Sequence, residues 1–307
     1  MPEVAAPLCR WGIRFLSDQG AEMAESHDAA CVSLLWLEIT GKCQLECVHC
    51  YAESGPDGDH GLMTRQDWLE VIAEARDIGV KTVVFIGGEP TLHPLLGEFV
   101  EYALGLGLSV RIVTNLVHVP TGLWDVYVRP GVSVSVSYYS SDPAAHDAMT
   151  RRRGSHRRTV VNLEKAARLG VHVTGLIITT DTSPDADPAR NALERLGVRQ
   201  QKVAPVQALG RAAAGCAPSL SDLCGQCAGH LLAVDPRGRA FPCVMARWLP
   251  VGDVRGGSLA AIVRDGRLTD VRRRIHEAFD PRVTGRPPVV LHHGCEGNSG
   301  GQDGCGP

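Results

Sequence analysis

The chain has 307 residues, of which 44% are hydrophobic and 21% charged, and its formal net charge is −3 at pH 7. These values are typical of one large globular domain, or one domain with an appendage, and the small charge gives no indication of a nucleic-acid partner. No apolar run is long enough to predict a membrane span. The N-terminus lacks a basic flank followed by an apolar core, so it does not resemble a secretory signal, and we expect a cytoplasmic protein.

Strand-like and helix-like segments alternate between residues 32 and 206. Such alternation predicts right-handed crossovers and a parallel sheet, either doubly wound or an incomplete barrel. In both architectures the chemistry is expected at the carboxyl ends of the strands. The predicted strands are 32–40, 81–88, 108–115, 131–140, 171–180 and 198–206, and the predicted helices are 64–79, 94–107, 158–170 and 185–197.

The alternation ends near residue 215. A hairpin is predicted around the turn at 235–239, followed by one short helix around 259–278 and a glycine-rich tail. This part is too small for a large core of its own, so we expect a metal to stabilise it. The predicted division is an N-terminal segment at 1–31, a barrel domain at 32–215 and a cysteine-rich domain at 216–307.

An arginine-rich run, RRRGSHRR, covers residues 151–158. Its more frequent role is a solvated loop or the start of a helix. A patch for an anionic substrate or peptide is the alternative.

The eleven cysteines fall mainly into two regions. In a reducing compartment, cysteines are more often metal ligands, reactive thiols or core residues than disulfides. Cys43, Cys47 and Cys50 form one cluster, and the second region begins at Cys216 after a long stretch without cysteine. Two such regions predict two metal sites.

The first cluster supplies three thiols, which is one fewer than a closed site needs. Thiolates bind zinc, copper(I) and iron–sulfur clusters. Three cysteines on a four-iron cluster leave one iron open to an outside ligand, as catalytic metal sites generally keep an open position. The alternative is a structural or zinc site with His49 as the fourth ligand.

The C-x3-C-x2-C spacing of Cys43, Cys47 and Cys50, followed by Tyr51, resembles the first motif of radical S-adenosylmethionine (radical SAM) enzymes. GGEPTLHP at 87–94 is similar to the second motif of that family. The resemblance covers about residues 33–210 and implies a partial (β/α)6 TIM-like barrel, an α/β fold. It implies that the three cysteines hold a [4Fe–4S] cluster whose open iron binds S-adenosylmethionine (SAM), and that a 5′-deoxyadenosyl radical then abstracts hydrogen from a substrate.

The resemblance also implies which residues bind the cosubstrate. Gly87, Gly88 and Glu89 match the motif that accepts the amino group of SAM; glycine allows close backbone approach, and a carboxylate suits an ammonium. An ordinary strand-to-helix turn is the alternative for these three residues. Four weaker candidates are Asn115 and Ser137, expected after the third and fourth strands, and His49 and Tyr51, expected near the adenine.

The C-terminal cysteines resemble a SPASM or twitch extension, which binds auxiliary iron–sulfur clusters. This resemblance implies one auxiliary [4Fe–4S] cluster held by Cys224, Cys227 and Cys243, with Cys295 or Cys305 as the fourth ligand. Cys295 is preferred, and Cys216 could replace Cys224. A zinc site with the same ligands is the alternative.

The substrate is less well determined by the sequence. The resemblance favours maturation of a ribosomally synthesised peptide, by a cross-link, thioether or epimerisation. A small-molecule dehydrogenase or epimerase is the second hypothesis, and a non-catalytic zinc or iron–sulfur protein is the third. The implied partners are a peptide or small-molecule substrate, an electron donor such as flavodoxin or ferredoxin, and a separate leader-peptide-binding protein. Residues 138–147 are a candidate for substrate contact, although a structural loop is the more frequent role.

Overall fold

A computed structural model of the chain describes residues 32–180 and 186–279. Six parallel strands are adjacent in chain order, and each pairs with the next. This confirms the α/β fold and the parallel sheet that the alternating pattern predicted. The strands are β1 Leu34–Glu38, β2 Thr82–Ile86, β3 Ser109–Thr114, β4 Val132–Tyr138, β5 Val173–Thr179 and β6 Gln200–Pro205.

Helices follow the strands and pack on the outer face of the sheet. Phe85 of β2 stacks on Phe99, and a side chain added at Gly175 of β5 would meet Leu193, so these strand positions point toward helices. Because side chains alternate along a strand, the intervening positions face the opposite side. The helices of this part are α1 Arg65–Asp77, α2 Leu96–Gly105, α3 Leu123–Tyr127, α4 Pro143–Thr150, α5 Ser155–Leu169 and α6 Asp187–Arg195.

Two of these helices, α3 and α4, were absent from the sequence prediction. The signal for α4 was nevertheless local, because Asp142 accepts hydrogen bonds from Ala144 N and Ala145 N, and Pro143 occupies the first turn. Both residue types are favoured at these positions. The arginine-rich run contains the start of α5, which agrees with the solvated helix start expected there.

The C-terminal part continues the same sheet. Strand β7 (Leu231–Val234) pairs in parallel with β1, and β8 (Arg239–Phe241) and β9 (Gly252–Asp253) follow in antiparallel order. The predicted hairpin is therefore present, and it extends the sheet on the β1 edge. The boundary at 215/216 stays a prediction.

The single helix predicted over 259–278 is wrong, because the structure contains two helices, α7 (Leu259–Arg264) and α8 (Gly266–Phe279). Asp265 lies between them in an extended conformation, and its carboxylate accepts a hydrogen bond from Arg267 N at 2.8 Å. Aspartate competes for backbone donors in this way and favours a helix start over a helix interior.

None of the helices in the two described ranges is long and apolar enough to cross a membrane.

Candidate active site

The three-cysteine loop begins where β1 ends, and neighbouring segments fix it on two sides. Cys43 N donates to Gly55 O at 2.9 Å, which closes the loop on itself. Val48 N donates to Met149 O at 2.9 Å, and this bond ties the loop to the end of α4. These backbone bonds give the three thiols a defined arrangement at the carboxyl ends of the strands, where the sequence predicted the chemistry.

Two of the thiols have hydrogen-bonding neighbours suited to sulfur. Sγ of Cys43 accepts from Leu45 N at 3.4 Å and from Asn115 Nδ2 at 3.7 Å, and it also lies 3.8 Å from Gln44 Oε1. Sγ of Cys47 lies 3.9 Å from the hydroxyl of Tyr139. N–H donors directed at sulfur suit a metal-bound thiolate, because they stabilise negative charge on it.

Burial makes these thiols poor acids in the absence of a metal. Desolvation, and then the negative charge of Glu89, raise the pKa of Cys43 well above its usual range. Desolvation and the neighbouring Cys50 raise the pKa of Cys47 to about 11. A cation would reverse both effects, since a coordinated thiol is deprotonated.

The Gly-Gly-Glu segment that follows β2 is hydrogen-bonded to the start of the cysteine loop. Gly88 N donates to Thr40 O at 2.7 Å, and Glu89 N donates to Lys42 O at 2.8 Å. A Cβ added at Gly87 would collide with Thr40 O, and one at Gly88 with Lys42 O. The glycines therefore allow the two motifs to lie in backbone contact, a role that a strand-to-helix turn alone would not require.

Glu89 is fully buried, and its carboxylate is bonded within the chain. Oε1 accepts from Thr91 N (3.1 Å), from the Thr91 hydroxyl (2.8 Å) and from the Thr114 hydroxyl (2.7 Å), and Oε2 accepts from Asn115 N (2.8 Å). Burial raises the pKa of Glu89, and these four donors act against that shift. Because an ionised carboxylate can accept about four hydrogen bonds, Glu89 holds the ends of β2 and β3 together and has little capacity left for a ligand.

Asn115 and Ser137 occupy different surroundings. Asn115 lies directly after β3, and its side chain joins the cysteine loop by accepting from Gln44 Nε2 at 2.9 Å and donating to Cys43 Sγ. Ser137 lies within β4, one residue before its end, and bonds the side chain of Tyr139. Both side chains therefore belong to the surroundings of the cysteine loop.

The two aromatic candidates of the loop point to different neighbours. The His49 ring packs edge-on against Tyr139 at 4.8 Å between centroids, and desolvation lowers its pKa to about 4. Its buried Nδ1 has no hydrogen-bond partner among the described residues. Tyr51, by contrast, donates its hydroxyl hydrogen bond to Glu38 at 2.8 Å.

Glu38 belongs to a buried charged network that sequence reasoning missed. Its second oxygen pairs with Arg247, and Arg247 Nη2 lies 4.0 Å from Asp235, which is also bonded by Arg239. Glu38 and Asp235 are each 1% exposed. A signal existed in the first strand, where Glu38 is the one carboxylate in an apolar run and therefore needs a buried partner. A cavity of about 480 Å³ lies between this network and the loop at 52–59.

Arg211 was also missed by sequence reasoning. It donates from Nε to Cys47 O at 2.8 Å and from Nη2 to Ser54 O at 2.7 Å. Its contacts lie 164 and 157 residues away along the chain, so no local pattern indicates them.

The C-terminal cysteines are only partly described. The sulfurs of Cys227 and Cys243 lie against each other, with 5.5 Å between the Cα atoms, and Cys224 is half-buried nearby in sequence. Cys295 and Cys305 lie outside the described residues. Convergence of Cys227 and Cys243 is compatible with either a disulfide or a shared metal, so the auxiliary ligand set stays a prediction.

The arrangement of the metal-ligating side chains bears on which metal the loop could hold. Within 32–180 and 186–279, no three His, Cys, Asp or Glu side chains form a group that could hold one metal ion. A zinc ion needs its ligands around a single point, whereas each iron of a four-iron cluster takes its own cysteine. Each thiol of the loop could therefore bind its own iron of a cluster, and the N–H donors directed at Cys43 Sγ suit such a ligand.

A match to a known protein family covers both the three-cysteine loop and the Gly-Gly-Glu segment. The model of the radical SAM superfamily matches residues 37–191, which is half of the chain. The chain belongs to the radical SAM superfamily. Membership implies a [4Fe–4S] cluster and SAM as cofactors.

The radical SAM chain resembles several characterised proteins over part of its length. It is 31% identical over 123 residues to the PqqA peptide cyclase of Bradyrhizobium diazoefficiens, covering 40% of this chain and 32% of that protein. It is 28% identical over 192 residues to the AdoMet-dependent heme synthase of Oleidesulfovibrio alaskensis, covering 62% and 49%. The chain therefore spans one third to one half of the length of these two relatives.

Solved structures show the same fold. SuiB of Streptococcus suis, bound to its precursor peptide SuiA, superimposes with a TM-score of 0.68 at 15% identity. The match covers 79% of this chain and 67% of SuiB. At this identity the likeness concerns the fold, and it supports a radical SAM partial barrel.

Proposed function

We propose that this protein is a radical SAM enzyme that matures a ribosomally synthesised peptide. The observation that carries the proposal is the backbone contact between the three-cysteine loop and the Gly-Gly-Glu segment. The loop supplies three thiols, one fewer than the four irons of the cluster. When bound, the cluster and SAM supply reductive cleavage of SAM and hydrogen abstraction from a substrate, which is oxidoreductase-type chemistry.

Each candidate residue has a part in this proposal. Cys43, Cys47 and Cys50 ligate the cluster, and Gly87 and Gly88 let the SAM-binding segment lie in backbone contact with the loop. Glu89 acts mainly by holding the ends of β2 and β3 together. At most one acceptor site of its carboxylate is left for a hydrogen bond from the amino group of SAM.

The other polar candidates lie around the same loop. Asn115 would orient Cys43 through its bond to Sγ, and Ser137 would orient Tyr139, whose hydroxyl lies beside Cys47. We assign His49 to the adenine because its buried Nδ1 has no hydrogen-bond partner among the described residues, while Tyr51 would support the loop from the Glu38 network.

The names of the relatives support a peptide substrate. One relative is a PqqA peptide cyclase, and SuiB binds a precursor peptide. The heme synthase favours the second candidate, a small-molecule dehydrogenase or epimerase. A non-catalytic zinc or iron–sulfur protein is the remaining hypothesis.

The proposal includes a second cluster and separate partners. A SPASM or twitch-like C-terminal domain would hold one auxiliary [4Fe–4S] cluster on Cys224, Cys227 and Cys243, with Cys295 or Cys305 as the fourth ligand. Flavodoxin or ferredoxin would supply electrons in the cytoplasm, and a separate protein would bind the leader peptide.

Anaerobic reconstitution tests the enzyme proposal. With dithionite and SAM, the wild-type protein should release 5′-deoxyadenosine and contain about eight irons per chain, four for each cluster. Changing Cys43, Cys47 and Cys50 together to alanine should abolish the nucleoside and leave about four irons on the auxiliary site. Bound zinc without nucleoside would overturn the proposal, and about four irons in the wild type would remove the auxiliary cluster alone.

The substrate is tested separately. Short peptides encoded beside the gene should be consumed with loss of two hydrogens, or with deuterium incorporation from the solvent for an epimerase, as measured by mass spectrometry. Turnover of a small aminosugar or cofactor precursor, with no change in any such peptide, would favour the second candidate.

A further inference from the structure

The segment that follows β6 is docked on the three-cysteine loop. Gly210 has φ of +54°, and a Cβ added there would collide with the carbonyl oxygens of Cys50 and Tyr51. The next residue, Arg211, donates its backbone N–H to Cys50 O at 3.1 Å. Only glycine allows so close an approach in this conformation, so the backbone of the segment lies against the loop itself.

The Arg211 side chain extends this contact along the loop. Its guanidinium donates to Cys47 O at 2.8 Å and to Ser54 O at 2.7 Å. Together with the backbone bond, Arg211 thus contacts the carbonyls of two predicted cluster ligands and of the residue that ends the loop. A rigid planar fork suits the two fixed carbonyls of Cys47 and Ser54, whereas lysine would provide a single point charge.

The same carbonyls already close the turns of the loop. Cys47 O accepts from Cys50 N at 3.2 Å, and Cys50 O accepts from Glu53 N at 3.3 Å. Arg211 therefore adds a second donor to each carbonyl that sets the spacing between Cys47 and Cys50. The side-chain hydrogen bonds of Arg211 to Cys47 and Ser54 both end on neutral carbonyls, so neither of them pairs the guanidinium with a carboxylate.

We propose that Arg211 is a positioning residue for the three-cysteine loop, which fixes the spacing of Cys47 and Cys50 and places a positive charge beside the cluster they hold. The part concerning the cluster rests on the proposed function, whereas the part concerning the loop does not require a metal. Partners that orient metal ligands commonly change metal affinity by about 10- to 100-fold when they are removed. A nearby positive charge stabilises the reduced cluster, because reduction adds negative charge.

Three variants separate geometry from charge. Arg211→Gln removes both the fork and the charge, Arg211→Lys keeps the charge, and Arg168→Gln changes an exposed arginine at the end of α5 as a control. Hydrogen exchange of the metal-free proteins is measured first, on peptides covering residues 43–55. Exchange should be faster in Arg211→Gln, intermediate in Arg211→Lys and unchanged in Arg168→Gln, while exchange of the β1–β4 strands stays as in the wild type.

The same proteins are then reconstituted, and bound iron and the midpoint potential are measured by redox titration. Arg211→Gln should lose iron affinity by about 10-fold or more and show a more negative potential. Arg211→Lys should retain the wild-type potential with weakened iron binding.

If the hydrogen-exchange rates of residues 43–55 in both Arg211 variants equal those of the wild type, the positioning role is overturned. Wild-type iron affinity and potential in Arg211→Gln would overturn the effect on the cluster. Absence of iron from the wild-type protein would instead refute the proposed function, while the exchange data would still decide the role of Arg211 in the loop.

Discussion

At the scale of single residues, the structure gives Glu89 a different main role from the one its motif indicates. The motif predicted a carboxylate directed at the amino group of SAM. The structure shows a fully buried carboxylate with four donors from Thr91, Thr114 and Asn115. Glu89 therefore connects β2 to β3, and through Asn115 it also reaches the cysteine loop.

Glu89→Gln should destabilise the metal-free protein. The amide nitrogen of glutamine is a donor, and it would face the hydroxyl and backbone donors that now bond the carboxylate. Buried groups would then lack a hydrogen-bond partner, so the free energy of unfolding should fall by about 2 kcal/mol. Glu164→Gln, on the exposed face of α5, should stay within about 0.5 kcal/mol of the wild type. Urea unfolding followed by circular dichroism measures both, and equal stability of the two variants would contradict the structural role.

The residues of the site differ in how well the sequence predicted them. Cys43, Cys47 and Cys50 could be identified because the three ligands lie within one loop and their chemistry depends on residue type. Arg211 and Arg247 could not be identified in this way, since their partners lie 164 and 209 residues away. Glu38 is an intermediate case. Its position in an apolar strand predicts a buried partner, but the sequence does not indicate which residue that partner is.

At the scale of elements, β4, α4 and α5 form a unit beside the cysteine loop. His146 of α4 is 1% exposed and packs against the rings of Tyr138, Tyr139 and His156. Its Nδ1 lies 3.2 Å from the Ser155 hydroxyl. Tyr138, Tyr139 and His146 of the candidate substrate segment at 138–147 thus belong to this internal unit, whereas residues 142–145 are exposed, and substrate contact there stays a prediction.

This unit should make stability depend on pH. Desolvation lowers the pKa of His146 to about 4, against about 6.5 in an unfolded chain. The folded state favours the neutral ring of His146. The contribution of this ring to the free energy of unfolding is therefore complete above pH 6.5 and is lost as the pH falls toward 4. Linkage gives a loss of about 2 kcal/mol between pH 7 and pH 5.

Unfolding at pH 7, 6 and 5 measures this effect against two variants. His146→Phe should be less dependent on pH than the wild type, whereas the exposed His118→Gln should retain the wild-type slope. A wild-type slope in His146→Phe would show that other groups cause the dependence.

At this scale the sequence predicted strands better than short helices. Apolar, β-branched runs such as residues 82–86 are decisive for buried parallel strands. Helices α3 and α4, with five and eight residues, have too few turns to show a clear period. The division between α7 and α8 depends on a single aspartate.

At the scale of the whole molecule, the C-terminal part is held to the barrel by strand pairing and by buried charges. Strand β7 pairs with β1, and Arg247 reaches Glu38 at the end of β1. The sequence predicted the hairpin but not its place in the sheet, because strand pairing across about 200 residues leaves no local pattern.

Arg247→Met should be strongly destabilising, because it leaves the Glu38 carboxylate buried with only the Tyr51 hydroxyl. Removal of one partner of a buried pair costs about 3–5 kcal/mol, and the 28% exposure of the arginine favours the lower value. The double variant Glu38→Gln/Arg247→Met should recover part of this loss.

The control is an ion pair on the surface. Arg129 and Glu101 are 53% and 46% exposed, so Arg129→Met should cost at most about 1 kcal/mol. Equal losses for Arg247→Met and Arg129→Met would contradict a structural role of the buried network.

The most direct test of the central claim is the electron paramagnetic resonance spectrum of the reduced, reconstituted protein with and without SAM. If the three-cysteine loop holds a cluster with one open iron, adding SAM should change the spectrum of the wild type and of Cys216→Ser, whose cysteine is exposed. The change should be absent when Cys43, Cys47 and Cys50 are replaced together by serine. A wild-type spectrum that does not respond to SAM, or a response that survives the triple replacement, would contradict the account.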